Sequence, residues 1–220
     1  MDEGFHQSIS KVASRRGFFD LSVSRSVLLK EDSSMFFDQP LAKGKILSET
    51  PHYHGPIFNV VTQKIKTPDG LTVERDLIRH ANAVAMLALT NDGRVLVNRE
   101  YRVATNSEVF GLPAGLIDPG EDWQTAASRE LHEETGYLTH DLQWLTAVRS
   151  SEGMTDETVN LVLANIDLAA KTSQDFDKDE FVTSRLVPFS ELVEGVKAGK
   201  INSAQTVAAV TYYLAFVANS

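Results

Sequence analysis

The chain has 220 residues, 42% of them hydrophobic and 23% charged, with 13 Gly and 7 Pro; this is the profile of one ordinary folded domain plus an extension, and it excludes wholesale disorder, collagen and simple repeats. Twenty-one Lys and Arg stand against 30 Asp and Glu, a net charge of −9, which argues against nucleic acid or an anionic membrane as a general partner. Cysteine is absent, so disulfides, thiolate nucleophiles and Cys-ligated clusters are excluded, and any metal must sit on oxygen or imidazole.

Residues 1–45 show no sustained periodicity, only a short apolar patch at Val27–Leu29 and a polar turn at Glu31–Ser34. They read as an N-terminal extension, with residues 46–220 as the folded domain. The opening Met1-Asp2-Glu3 lacks the basic segment and apolar run of a secretion signal. The longest apolar stretch, Val207–Ala218, is shorter than the roughly 20 residues a membrane-spanning helix needs. A cytoplasmic protein with no membrane partner is expected.

From Pro51 the pattern sharpens. Phe58–Lys66 and Leu71–Ile78 are strand-like runs flanking Pro68-Asp69-Gly70, a hairpin turn signal. Asn91-Asp92-Gly93 separates a second pair, Ala83–Leu89 and Val95–Val97. Asp122–Thr135 reads as a helix, with Asp122 as N-cap and Gly136 supplying the left-handed residue beyond its end. Strands are predicted at Leu142–Val148, Thr158–Ile166 and Thr183–Val187, then helices at Glu191–Ala198 and Ser203–Val217. The last lies behind Asn202 with Gln205 three residues on, an approximate capping box. Hairpins interleaved with helices point to an α+β fold with a mixed sheet between helices, rather than a doubly wound parallel sheet.

Within the first of these helices, Glu130, Glu133 and Glu134 stand at i, i+3 and i+4, which places three carboxylates on one face. Like charges at this spacing repel, so a partly buried face requires a cation. Magnesium suits it, being a hard cation that takes oxygen ligands and bridges protein carboxylates to phosphates. A solvated charged face satisfies the same spacing, and the triple alone does not decide. Gly115 and Gly120 permit a loop whose backbone approaches a ligand, and Glu121 can pair with Arg129 to lock that loop against the helix.

The run from Gly115 to Tyr137 resembles the Nudix box, Gly-x5-Glu-x7-Arg-Glu-U-x-Glu-Glu-x-Gly-U, with U apolar. Every fixed position matches, through Gly115, Glu121, Arg129, Glu130, Glu133, Glu134 and Gly136, and only Tyr137 is loose. The resemblance implies a Nudix-type α/β/α sandwich that hydrolyses a nucleoside diphosphate joined to another group, with Mg2+ as cofactor and Mn2+ as a substitute. It implies Glu130 and Glu134 as principal metal ligands, Glu133 as a further ligand with a catalytic role, and the Ala114 carbonyl as a backbone ligand. Glu121 and Arg129 join the catalytic set as the pair that holds the loop. In the sugar-nucleotide branch the base tends to come from an acidic loop beyond the box. Here Asp175–Glu180 matches, with Glu180 the candidate and a solvated acidic loop the alternative.

The resemblance runs from about Tyr53 to Leu214 and is to the ADP-ribose pyrophosphatase group. Its landmarks are His54-Gly-Pro-Ile-Phe58, Arg99-Glu-Tyr-Arg102, Leu112-Pro-Ala-Gly115 and Gly153-Met-Thr-Asp-Glu157. Arg102 is a candidate phosphate or ribose contact, since a planar guanidinium forks two oxygens; a surface ion pair is the alternative. Three positions depart from the branch, which commonly has Glu at Gly111, Gln at Glu100 and Pro at Glu152. Glu152 therefore becomes a candidate substrate contact and leaves the sugar open. The group is commonly a homodimer in which N-terminal strands reach the partner's site. Phe58 reads first as a core aromatic and second as a base-stacking one, and His52 and His54 read as loop residues. The expectation is a small-molecule nucleoside diphosphate sugar as substrate. A nucleotide-binding module without catalysis and a pyrophosphatase for noncanonical nucleoside triphosphates are the alternatives; the complete glutamates count against the first, the residues around Arg102 against the second.

Overall fold

The computed structural model describes residues 36–139, 141–173 and 182–218. The chain divides into two compact units, residues 1–42 and 43–220. Of the first, the described part is a 3-10 turn at Phe36–Asp38 and the segment after it; Val27–Leu29 and Glu31–Ser34 lie outside the described residues.

The second unit opens with a three-stranded antiparallel sheet of β1 (Lys45–His54), β2 (Phe58–Lys66) and β3 (Thr72–His80), in that order. The predicted hairpin is β2–β3, and Gly70 takes φ +92° at its turn, a conformation that glycine adopts without steric cost. β1 is exposed at all ten positions, so it carries no alternation of polar and apolar residues to read. Its pairing with β2, from Lys45↔Lys66 to His54↔Asn59, is what makes it a strand. His52 and His54 therefore sit on a strand rather than in a loop.

The main sheet contains β4 (Ala83–Thr90), β5 (Arg94–Arg102), β6 (Ser107–Gly111), β7 (Ala114–Leu116), β8 (Leu142–Val148), β9 (Val159–Ile166) and β10 (Val182–Pro188). Its order is β10-β5-β4-β9-β8, with β6 on β5 and β7 on β4. β4 and β9 run parallel and the other pairs antiparallel, so the sheet is mixed. β5 continues past its apolar start because Glu100 and Arg102 pair with Val109 and Ser107 of β6.

Among the described residues, three helices cover this sheet: α1 (Trp123–Thr135), α2 (Phe189–Lys197) and α3 (Ala204–Phe216). β4 shows the layering residue by residue. Ala83, Ala85 and Leu87 join one buried cluster with Leu192, Ala209 and Val210 of α2 and α3, while Val84, Met86 and Ala88 join another with Ala126, Ala127 and Leu131 of α1. A strand buried on both faces between helices reads as an unbroken apolar run, and the result is the expected α/β/α sandwich. The small side chains of Ala126 and Ala127, fully buried, bring α1 close to the sheet.

The helix ends follow local chemistry. Asp122 caps α1 by accepting the Thr125 N–H at 2.8 Å, and Gly136, at φ +76°, donates to the His132 carbonyl at 2.7 Å. α3 departs from expectation: Ser203, not Asn202, is its cap, accepting the Thr206 N–H at 3.4 Å, because Ser203 is the last extended residue before the helix. The three-stranded sheet is tied to the loop after β8 by the Ile78 N–H on the Met154 carbonyl (2.9 Å) and Arg79 Nη1 on Asp156 Oδ2 (3.1 Å).

Candidate active site

α1 presents its three glutamates as a gradient of burial. Glu134 is 5% exposed, and the side chains of Glu130 and Glu133 are 13% and 36% exposed. Glu134 Oε2 accepts from Asn98 Nδ2 at 3.0 Å and from the Ala114 N–H at 3.1 Å. Burial, reinforced by the charge of Glu130, pushes its carboxyl up to about 8 against those two hydrogen bonds. Glu130 lies over Gly115, where a Cβ would stand 1.9 Å from the Glu130 carboxyl carbon. The box glycine is thus the space in which this carboxylate sits.

Arg129 organises the cluster. Its Nε and Nη2 fork Glu121 at 3.1 and 2.9 Å, and Nη2 also donates to the Leu116 carbonyl at 2.9 Å. Nη1 bridges Glu130 Oε1 at 2.8 Å and Glu133 Oε2 at 3.0 Å. Glu121 in turn accepts the Asp118 N–H at 3.1 Å, which closes the loop on itself. The Arg129 hydrogen bonds hold the Glu121 carboxyl below its ordinary range, and those same carboxylates raise Arg129.

The cation that the sequence requires is therefore supplied in part from within the helix. Among the described residues no group of three His, Asp or Glu side chains is gathered as a metal cage, because Arg129 engages Glu130 and Glu133 while Asn98 and Ala114 engage Glu134. In kind, the set fits a hard divalent ion: all its donors are oxygens, Glu130 is seated in a cradle that a Cβ would fill, and Glu134 is buried beside a like charge. Glu130, Glu133 and Glu134 are the side chains that would hold such an ion, with Ala114 adjoining Glu134 through its own backbone.

The other candidates are more dispersed. Arg102 pairs with Glu100 at 2.9 Å and is half exposed. Phe58 is not a core residue: it is 38% exposed and packs against the more open Tyr53, ring centroids 5.7 Å apart, since β2 starts at the rim of the small sheet. Glu152 lines a cleft with Arg149, Ser150, Ser151 and Thr158. Asp156, further along the same loop, accepts the N–H of His80, the cross-strand partner of Phe58, at 3.0 Å. Glu180 and the rest of Asp175–Glu180 lie outside the described residues. His132 bonds Thr172 at 2.8 Å, His52 bonds Thr62 at 2.6 Å and His54 meets Asn59. Sequence reasoning passed over Asn98 and Ser184, which lie 86 residues apart and meet beneath Glu134. The readable signal was a lone Asn following the apolar run Val95–Val97.

Residues 79–210, which carry this geometry, match the NUDIX domain family. The chain is a Nudix hydrolase. It is 31% identical over 172 residues to the methanol dehydrogenase activator of Bacillus methanolicus, covering 78% of this chain and 93% of that protein. It is 29% identical over 168 residues to the ADP-ribose pyrophosphatase of Bacillus subtilis, covering 76% and 91%. A crystal structure of an ADP compounds hydrolase superposes with a TM-score of 0.65 at 27% identity, over 79% of this chain and 94% of the other. This Nudix hydrolase accordingly belongs with the pyrophosphohydrolases of the ADP-ribose branch.

Proposed function

We propose that the enzyme hydrolyses the diphosphate bond of ADP-ribose or a related nucleoside diphosphate sugar, with Mg2+ as cofactor, to a nucleoside monophosphate and a sugar phosphate. The observation that carries this reading is the glutamate face of α1, where Glu134 is buried, Glu130 fills the space above Gly115, and Glu133 opens outward. The likeness to an ADP-ribose pyrophosphatase and an ADP compounds hydrolase supports the substrate class.

When bound, a divalent ion supplies neutralisation of phosphate charge and a lowered pKa for the attacking water. The protein's residues do the rest. Glu121 and Arg129 fix the loop from Gly115 to Asp122, so the backbone beside the diphosphate is set before substrate arrives. Arg102, half exposed at the end of β5, is the cation we assign to the phosphates or ribose. We assign proton acceptance to Glu180, which lies beyond the described residues, or to Glu133, the most open of the three helix carboxylates. Tyr53 and Phe58 form an exposed aromatic pair suited to a base, and Glu152 lines the cleft we assign to the distal sugar.

The same reading takes the protein as a homodimer built through residues 1–45 and the adjoining sheet. Its support is β1, an edge strand exposed throughout, with Ile46 57% and Leu47 46% exposed. Among the described residues no helix is long and apolar enough to cross a membrane, and a cytoplasmic location is part of the proposal.

Phosphatase-coupled phosphate release over a panel of sugar nucleotides, dinucleotides and nucleoside triphosphates, with and without Mg2+, tests the reading. Turnover of ADP-ribose or another sugar nucleotide that requires Mg2+ is expected. Tight binding without turnover, or a preference for triphosphates, would replace it.

A further inference from the structure

Asn98 is the polar residue that follows the apolar run Val95–Val97 of β5, and it is 2% exposed. A buried amide left unbonded is costly, so its partners are informative. Nδ2 donates to Glu134 Oε2 at 3.0 Å, and Oδ1 accepts from Ser184 Oγ at 2.6 Å. Ser184 is the cross-strand partner of Asn98 in the β10–β5 register, and its Oγ also lies 3.1 Å from the Glu134 backbone carbonyl. The single Ser184 hydroxyl proton has two acceptors, Asn98 Oδ1 and the Glu134 carbonyl. Oδ1 of Asn98 faces Ser184 and the amide N–H faces Glu134. With Glu134 ionised, the form that holds a divalent ion, the reversed amide would set Oδ1 against the carboxylate.

We infer that Asn98 and Ser184 are positioning residues for Glu134, a two-residue relay that fixes the carboxylate's orientation and thereby the affinity of the glutamate cluster for a divalent ion. The relay rests on the metal reading proposed above. It is set by sheet register, not by the helix that carries the glutamates: β5 and β10 hold Asn98 and Ser184 opposite one another, and α1 delivers Glu134 to both. The Ala114 N–H from β7 reaches the same Oε2 at 3.1 Å. Two donors from two strands on one oxygen oppose rotation of the carboxylate, which would otherwise be lost as entropy when an ion binds. Partners of this kind behind a metal-ligating group are worth about 10–100-fold in metal affinity.

The test measures Mn2+ dissociation constants by electron paramagnetic resonance on the full chain without substrate, alongside kcat and KM at saturating metal. Asn98→Leu is expected to weaken Mn2+ binding by about 10–100-fold and Ser184→Ala by about 10-fold, the lower end of that range, with KM for the nucleotide unchanged in both. Should Asn98→Leu fail to fold, Ser184→Ala, which removes only a hydroxyl, decides the matter. Wild-type affinity in a folded Ser184→Ala and Asn98→Leu, while Glu134→Gln loses the ion, overturns the relay and leaves the metal reading standing. Absence of saturable Mn2+ binding to the wild type overturns both.

Discussion

Arg129 and Glu121 meet through two parallel hydrogen bonds, Nε to Oε1 at 3.1 Å and Nη2 to Oε2 at 2.9 Å, across eight residues of sequence. The loop that precedes the helix, from Gly115 to Asp122, is held because the same arginine also takes the Leu116 carbonyl and the same glutamate the Asp118 N–H. One guanidinium thus fastens the loop to the helix and partly neutralises Glu130 and Glu133.

A lysine cannot reproduce that fork. Arg129→Lys is expected to lower unfolding stability by about 1–3 kcal/mol, read from the urea midpoint, and to reduce kcat. The dependence on pH has a definite sign. The Glu121 carboxyl is held below its ordinary value, so the pair contributes fully above the unfolded-state value near 4.5 and fades as pH falls through the depressed folded one. The stability gap between wild type and Arg129→Lys is expected to close in acid. A gap that persists there would show that the arginine acts through packing and its bond to the Leu116 carbonyl rather than through Glu121.

Two glycines of the same loop respond differently to alanine. At Gly115 a Cβ would stand 1.9 Å from the Glu130 carboxyl carbon, whereas at Gly120, φ +88°, it would meet nothing within 4 Å. The first obstacle is the far end of a flexible side chain, so Gly115→Ala is expected to keep its stability to within about 1 kcal/mol. It displaces Glu130, and kcat/KM should fall by at least about 100-fold. Gly120→Ala strains the backbone by about 1–2 kcal/mol and should retain most activity. Thermal melts and steady-state kinetics on the two variants separate the cases, and equal activity would remove Glu130 from its assigned place.

These contrasts mark what a sequence can and cannot disclose. β4 was legible because burial on both faces leaves an unbroken apolar run, and α1 because Asp122 and Gly136 cap it with local hydrogen bonds. β1 was not, since every residue from Lys45 to His54 is exposed and only the partner strand imposes its conformation. At the site, the glutamates share one helix and their spacing is their geometry. Asn98 and Ser184 are joined by sheet register, which no local pattern encodes. Phe58 misleads because its apolar character suggests the core, while its position at the start of β2 leaves it open beside Tyr53.

Glu134 yields the third prediction. Its carboxyl is raised to about 8 in the folded protein, first by burial and then by Glu130, against 4.5 in an unfolded chain. Between those values the folded state holds a proton that the unfolded state has released. Stability of the metal-free protein should therefore fall as pH rises through this window, with a slope of at most about 1.4 kcal/mol per pH unit, and level off above it. Glu134→Gln carries no such proton and can still accept from Asn98 and Ala114 through its carbonyl. In EDTA its urea midpoint should change less than the wild-type midpoint between pH 6 and pH 9. Divalent ions reverse the wild-type trend, because the ionised carboxylate is the form that binds them. Mn2+ should stabilise the wild type more at pH 8 than at pH 6, releasing a proton on binding that calorimetry in buffers of different ionisation enthalpy detects. Parallel pH profiles for wild type and Glu134→Gln in EDTA would show that Glu134 is ionised throughout, and that its burial is offset by partners other than Asn98 and Ala114.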